Sequence, residues 1–108
     1  MNLIKVEETS EWIVYNIEKD NKVIGSVEII PQPKINNIYI ENIVKDKDYK
    51  GKKLVKDVCI YLREKYKCDL SCLPLAQYRA YYESLGFKPT FAHGEDIWYK
   101  LDINTLIP

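Results

Sequence analysis

The sequence has no excess of either charge, because 16 lysines and arginines balance 16 aspartates and glutamates among its 108 residues. Proteins devoted to nucleic acids usually carry a clear basic excess, so the composition argues against DNA or RNA as a partner. Residues 1–7 lack the apolar core of a secretion signal, and no apolar stretch is long enough to span a bilayer. We therefore expect a cytoplasmic protein that does not bind membranes.

Cysteine and histidine are scarce. The three cysteines are Cys59, Cys68 and Cys72, an odd number in a chain without a secretion signal, so reduced thiols are expected. The Cys68-x-x-x-Cys72 spacing suggests a metal, but a closed zinc site needs four ligands and His93 is the only histidine. We favour small buried apolar side chains for the cysteines, a surface loop position for His93, and no metal site.

The first half of the chain predicts strands. Residues 11–18 and 22–30 are rich in β-branched and aromatic side chains, and Asp20-Asn21 between them indicates a hairpin. Residues 3–6 predict a short additional edge strand, and Pro31-Gln32-Pro33 should interrupt the sheet. Residues 35–44 form a fourth strand, in which the apolar alternation changes parity between Ile40 and Ile43. That change indicates either burial on both faces or a β-bulge.

The second half alternates helices and strands. From Gly51 onward an apolar stripe at helical spacing includes Leu54, Val58 and Leu62. Residues 69–73 predict a strand, and Pro74 should open a second helix that Gly86 ends. Residues 87–91 and 96–103 predict two final strands. The fold class is therefore α/β: residues 1–108 form a single domain with a mixed central sheet, a parallel β-α-β crossover over residues 38–73 and two main helices.

A lysine-rich turn separates the fourth strand from the first helix. The start of a helix after a parallel strand offers unpaired N–H groups and a positive dipole end, which together suit phosphate. A solvated lysine loop is the alternative. In this segment the lysines outnumber the aspartates, as the positions of both show: Lys45, Lys47, Lys50, Lys52, Lys53 and Lys56 against Asp46, Asp48 and Asp57.

Two motifs resemble the GNAT superfamily of N-acetyltransferases. The run Y-K-G-K-K-L-V-K at residues 49–56 resembles its motif A, and Y-E-S-L-G-F at residues 82–87 resembles its Y-E-x-L-G-F signature. The resemblance covers residues 38–101 and implies that acetyl-CoA, as co-substrate, binds between two splayed parallel strands. Backbone amides at Ile43, Val44 and Lys45 would then pair with the pantetheine arm. The pyrophosphate would be held by the amides of Lys50, Gly51, Lys52, Lys53, Leu54 and Val55.

The chain departs from the family pattern at two places. The family's turn reads R/Q-x-x-G-x-G/A, and Lys50, Lys53 and Val55 stand at its arginine and two glycine positions. The helix pair that the family usually inserts between its first two strands is missing, because only residues 8–10 separate the first two predicted strands. The acceptor site would therefore be open, which favours an exposed amine such as a protein N-terminus or lysine over a small molecule.

The resemblance also implies catalytic residues. Tyr82 falls on the tyrosine that protonates the leaving thiolate, which is the favoured role, although packing in a helical stripe would also explain it, and Tyr81 would be its neighbour in the core. Glu41 is the best-placed carboxylate for a general base. The alternatives are an ordinary exposed strand glutamate and a base role for water.

Three hypotheses follow. The chain is an acetyl-CoA-dependent N-acetyltransferase acting on an amine, as a monomer or homodimer; or a degenerate member of the fold that acts as a binding or regulatory module; or a structural partner protein.

Overall fold

The computed structural model describes residues 1–51 and 53–108, and within them seven strands and two α-helices are found. The helices are α1 (Leu54–Tyr66) and α2 (Arg79–Ser84), and single 3₁₀ turns occupy Pro33–Ile35 and Ala76–Tyr78. The strands are β1 (Asn2–Glu8), β2 (Ile13–Lys19), β3 (Lys22–Gln32), β4 (Asn37–Lys45), β5 (Asp69–Cys72), β6 (Lys88–His93) and β7 (Asp96–Leu101).

All seven strands form one sheet in the order β1-β2-β3-β4-β5-β7-β6. Only β4 and β5 run parallel, with residues 37–40 opposite residues 69–72, and α1 lies in the connection between them. The predicted mixed α/β sheet with a parallel crossover is therefore confirmed. No helix joins β1 to β2, because residues 9–12 link them directly.

The β2–β3 hairpin forms where the sequence predicted it. Asp20 and Asn21 have φ angles of 52° and 63°, and two successive left-handed residues match the twist of the flanking strands in a two-residue hairpin. The predicted edge strand is also present, and it extends over Asn2–Glu8 because it pairs with β2 along its whole length.

Pro31 does not end β3, contrary to the sequence prediction. The strand continues to Gln32, with Pro31 opposite Ile38 of β4. On its other side β3 has already lost its partner, because the last β2 pair joins Ile13 to Ile29. A proline at such a position removes no hydrogen bond from a second ladder, so the sheet tolerates it.

The parity change in β4 is a β-bulge. Glu28 pairs with Asn42 while Ile29 pairs with Ile40, so Glu41 has no partner across the ladder. Ile40 and Ile43 consequently point to the same face despite their odd spacing. Of the two explanations offered by the sequence, the bulge is the correct one.

The core lies on the face of the sheet against which α1 packs. Val58, Cys59 and Leu62 of α1 are fully buried against strand residues such as Ile40 and Leu70. The opposite face carries Val14, Ile30, Tyr39 and Trp98 at alternating strand positions, and all four remain partly exposed. In the described part of the chain no helix covers that face.

The second helix begins later than predicted. Pro74 is buried but not helical, the backbone first turns at Ala76–Tyr78, and α2 starts only at Arg79. The residue before the turn, Leu75, has an extended ψ of 148°. Pro74 therefore ends the β5 segment rather than opening a helix.

A Schellman motif ends α2. The Phe87 N–H donates to the Tyr82 carbonyl at 3.2 Å, and the Gly86 N–H donates to the Glu83 carbonyl at 3.0 Å. Gly86 has a φ of 105°, which only glycine adopts easily. The apolar contact typical of this motif joins Tyr82 to Phe87, whose rings meet edge-on at 5.3 Å. The sequence Y-E-S-L-G-F thus fixes the ring of Tyr82 through the backbone that follows it.

Candidate active site

A cavity of about 850 Å³ lies between the end of β4, the start of α1 and the α2 segment. We call it the main cavity. Its walls combine an apolar floor, several tyrosine rings and lysine side chains: Ile43, Lys45, Lys47, Tyr49, Lys50, Gly51, Leu54, Val55, Tyr78, Tyr81 and Tyr82. Such a volume is in the range of cavities that hold cofactors.

The main cavity is cationic although lysine and aspartate alternate in residues 45–48 beside it. Lys45 and Lys47 line it, whereas the intervening Asp46 and the following Asp48 do not. The carboxylate of Asp46 instead accepts a hydrogen bond from the Asp48 N–H at 3.2 Å within the turn. Among the described lining residues there is no aspartate or glutamate, so an anion entering the cavity meets lysines alone.

The first turn of α1 faces this cavity with unpaired amides. The first hydrogen bond of the helix among the described residues runs from the Asp57 N–H to the Lys53 carbonyl at 2.9 Å, and no side chain caps the helix at Lys53. The amides of Leu54 and Val55 precede that bond and have no hydrogen-bond partner among the described residues. With the helix dipole they present a partial positive charge to the cavity.

Gly51 allows Tyr49 to form part of the cavity wall. A Cβ built on Gly51 would collide with the ring and hydroxyl of Tyr49, so Tyr49 occupies the space that a side chain at residue 51 would need. Residue 51 is therefore glycine because the Tyr49 ring packs against its Cα and leaves no room for a side chain.

The two parallel strands separate above their last pair, Ile40 and Cys72. Beyond it β4 continues for five residues to Lys45 with β3 as its partner on one side only. A second cavity of about 180 Å³, which we call the splay cavity, occupies the gap between the strands. It is lined by Ile40, Glu41, Asn42, Ile43, Cys72, Leu73, Pro74, Leu75, Tyr78 and Tyr82.

Tyr82 stands where the two cavities meet. Ile43, Tyr78 and Tyr82 line both of them. The Tyr82 ring is held between Phe87, at 5.3 Å, and Tyr81, at 5.9 Å. Its hydroxyl has no hydrogen-bond partner among the described residues, so it is available to a bound molecule.

Burial keeps Tyr82 protonated. Loss of solvent raises the pKa of its phenol well above the ordinary value, and the neighbouring thiols of Cys72 and Cys59 add to the effect. Burial likewise raises the pKa of the Cys72 thiol to about 12. At neutral pH these groups are therefore neutral proton donors.

The family model for the acetyltransferase (GNAT) family matches residues 3–87. The chain belongs to the GNAT acetyltransferase family. A comparison with curated protein sequences found no match.

Solved GNAT structures share the fold. The PaiA N-acetyltransferase of Thermoplasma acidophilum in complex with coenzyme A superposes with a TM-score of 0.69 at 17% identity, covering 85% of this chain and 61% of that one. The aminoglycoside 6'-acetyltransferase type Ii superposes with a TM-score of 0.70 at 19% identity, covering 89% of this chain and 72% of that one. A GNAT family acetyltransferase of Elizabethkingia anophelis with acetyl-CoA bound superposes with a TM-score of 0.65 at 17% identity, covering 86% of this chain and 77% of that one. The chain thus spans less than two thirds of the first relative.

Most residues expected around a GNAT co-substrate line the main cavity. Ile43, Lys45, Lys50, Gly51, Leu54 and Val55 do so. Val44, whose side chain is exposed, and Lys53, at the exposed end of the turn, do not. Lys52 lies outside the described residues.

The expected catalytic residues lie at the splay cavity. Tyr82 and Glu41 both line it, and Glu41 is the exposed, unpaired residue of the β4 bulge. His93 is exposed at the end of β6, away from both cavities.

Sequence reasoning missed several cavity residues. Tyr81, expected in the core, is 36% exposed and lines the main cavity, as do Tyr49 and Tyr78. Lys47, expected only as one lysine of the lysine-rich turn, also lines it. Residues 46–49 form a turn that the hydrogen bond from the Tyr49 N–H to the Asp46 carbonyl closes at 3.0 Å. No periodicity in K-D-K-D-Y-K shows which side chains of such a turn face the cavity.

All three cysteines are buried, free thiols. Within residues 1–51 and 53–108 no cluster of three or more histidine, cysteine or acidic side chains is arranged to hold a metal ion. In the same residues no helix has the length and apolarity needed to cross a membrane.

Proposed function

We propose that the chain is an acetyl-CoA-dependent N-acyltransferase. The observation that carries the proposal is the continuity of the two cavities: a cationic cavity at the α1 N-terminus meets a gap between two parallel strands, with Tyr82 at the junction. Relatives with the same fold are described in complex with coenzyme A or acetyl-CoA. Acetyl-CoA fits the residues present, because its phosphates match the lysines and free amides.

The open edge of β4 would hold the pantetheine arm. Beyond Ile40 the residues of β4 pair with β3 alone. In an antiparallel strand the amide groups of alternate residues point away from the partner, so amides within residues 43–45 are available to the amide groups of the arm. Lys50 and the amides of residues 53–55 would hold the diphosphate.

Val55 limits the approach of the diphosphate to the helix. Its β-branched side chain lines the main cavity where the family pattern has glycine or alanine. Lys45, Lys47 and Lys50 line the same cavity, and their positive charge supports diphosphate binding despite the bulk of the Val55 side chain.

The acyl group would pass from sulfur to nitrogen at the junction of the cavities. The amine nitrogen bonds to the thioester carbon, the carbon–sulfur bond breaks, and the thiolate takes a proton. Tyr82 would supply that proton, and the proton lost by nitrogen would leave through Glu41 or water. The raised pKa of the Tyr82 phenol keeps this group protonated and neutral at neutral pH, ready to donate.

The acceptor amine would enter from the helix-free face of the sheet. Glu41 and Asn42 at the rim of the splay cavity are exposed, and no helix between β1 and β2 encloses them. An open approach suits an amine on a large molecule, such as a lysine or the N-terminus of a protein.

Thermal denaturation tests the proposal. A ligand present at a hundred times its Kd stabilises the folded state by about 2.7 kcal/mol, which raises the Tm of a chain of this size by on the order of 10 °C. Acetyl-CoA and CoA should both do so, because they share the diphosphate. If millimolar acetyl-CoA and CoA neither shift the Tm nor produce calorimetric heat, the proposed acyltransferase function is refuted.

A co-substrate-binding module without transferase activity is the second candidate, and Val55 is the observation that favours it. Both candidates predict binding, so a thiol-release assay with lysine peptides, free N-termini and small amines separates them. Binding without turnover on any of these acceptors would support the module.

A further inference from the structure

The splay cavity has an apolar floor and a polar rim. Ile40 and Cys72 at its floor are each at most 4% exposed, and Leu73, Pro74 and Leu75 extend the apolar wall. Glu41 and Asn42, which also line it, are exposed at the rim. A cation on the floor would lose its water without gaining a partner, whereas methylene groups would be favourably buried there.

The cavity is larger than an acetyl group requires. Its volume is about 180 Å³, and one water molecule in the liquid takes about 30 Å³, so it has room for roughly six groups the size of a water molecule or a methylene. Acetyl fills about two of these and an attacking amine about one. Roughly three places on the apolar floor are left over.

We propose that the splay cavity is an acyl pocket and that the preferred donor carries a saturated acyl chain of about four or five carbons rather than acetyl. The proposal rests on the proposed function, because it places the thioester at the junction lined by Ile43, Tyr78 and Tyr82. From there the acyl chain extends over Ile40 and Cys72, and the amine meets the thioester at the rim beside Glu41.

Calorimetric titration with CoA and its acetyl, propionyl, butyryl, pentanoyl and octanoyl thioesters tests this preference. Each methylene buried from water should tighten binding by about three- to fourfold, so affinity should rise from acetyl to butyryl or pentanoyl. Octanoyl-CoA, which exceeds the volume, should bind more weakly than pentanoyl-CoA. Equal affinities across the series, or tightest binding of acetyl-CoA, would overturn the acyl pocket while leaving the enzyme intact. If CoA itself fails to bind, the proposed function fails instead.

A change at the floor should shift the preference. Cys72→Ala removes a sulfur from the pocket and adds space for about one methylene, so the tightest-binding chain should become about one carbon longer. Cys59→Ala is the matched control, because Cys59 is an equally buried thiol near Cys72 and Tyr82 but lines neither cavity. It should leave the preferred length unchanged.

Cys72→Leu should have the opposite effect and restrict binding to acetyl- and propionyl-CoA. If that variant does not fold, Cys72→Ala decides the matter alone, since removing atoms introduces no clash. An unshifted preference in Cys72→Ala, or an equal shift in Cys59→Ala, would overturn the assignment of the splay cavity as acyl pocket.

Discussion

Replacing Gly86 by alanine should destabilise the fold more than the same replacement at Gly94. Both glycines have left-handed φ angles, 105° at Gly86 and 61° at Gly94. Their surroundings differ. A Cβ on Gly86 would lie 2.9 Å from Thr105 Cγ2 and 3.3 Å from Leu101 Cδ1, whereas nothing lies within 4 Å of a Cβ on Gly94.

The magnitudes separate two physical causes. A side chain in left-handed backbone costs about 1–2 kcal/mol, and both variants bear this cost. Crowding in packed surroundings adds about 1–3 kcal/mol, and only Gly86→Ala bears it. We therefore expect a loss of roughly 1–2 kcal/mol in Gly94→Ala and roughly 2–5 kcal/mol in Gly86→Ala.

Urea unfolding followed by circular dichroism measures both losses. A third variant isolates the crowding: Thr105→Ser deletes the methyl group that the new Cβ would contact, so the double variant should recover part of the difference. Equal losses in Gly86→Ala and Gly94→Ala would refute the reasoning. They would mean that Thr105 moves aside freely and that only φ requires glycine at the end of α2.

Two further predictions concern charge. Lys50→Ala should weaken CoA binding and make the CoA affinity less dependent on salt, because the change removes an ionic contact that salt screens. The control is Lys34→Ala, which changes an exposed lysine outside the cavities and should leave both the affinity and its salt dependence unchanged. An unaltered salt dependence in Lys50→Ala would make Lys50 an ordinary surface lysine. The pKa of Cys72 rises to about 12 in the fold against about 8.5 in an unfolded chain, so its contribution to stability is complete below pH 8.5 and is lost as pH rises towards 12. The alkaline fall in unfolding free energy should be shallower in Cys72→Ala, and an identical fall would contradict this.

The order of elements was predictable because each element carries a local signal. The stripe of Leu54, Val58 and Leu62 defines a helix by its own spacing, and Asp20-Asn21 defines a hairpin by its own turn chemistry. The start of α2 was not predictable in this way. Pro74 suits either the first turn of a helix or the end of a strand, and only its burial beside β5 decides between them.

The candidate site was predictable in part for the same reason. Gly51 and Tyr82 belong to motifs whose residues are adjacent in sequence, and both line the main cavity. Tyr78 and Tyr81 line it because α2 crosses opposite the start of α1, which depends on tertiary packing and leaves no local pattern. Tyr81 was wrongly expected in the core because a helical stripe shows which residues share a side, not which side faces solvent.

The role of Tyr82 itself can be tested by Tyr82→Phe, which keeps the ring that packs on Phe87 and removes only the hydroxyl. If the phenol protonates the leaving thiolate, kcat should fall by roughly 10²–10⁴-fold at saturating acyl-CoA, the usual effect of losing a positioned proton donor. CoA affinity and Tm should barely change, because the hydroxyl has no partner among the described residues and its loss leaves no group unpaired. Tyr61→Phe is the control, since Tyr61 is a partly buried tyrosine of α1 that lines neither cavity; its kcat should match the parent. Full turnover in Tyr82→Phe would leave Tyr82 with the packing role that the Schellman motif already explains.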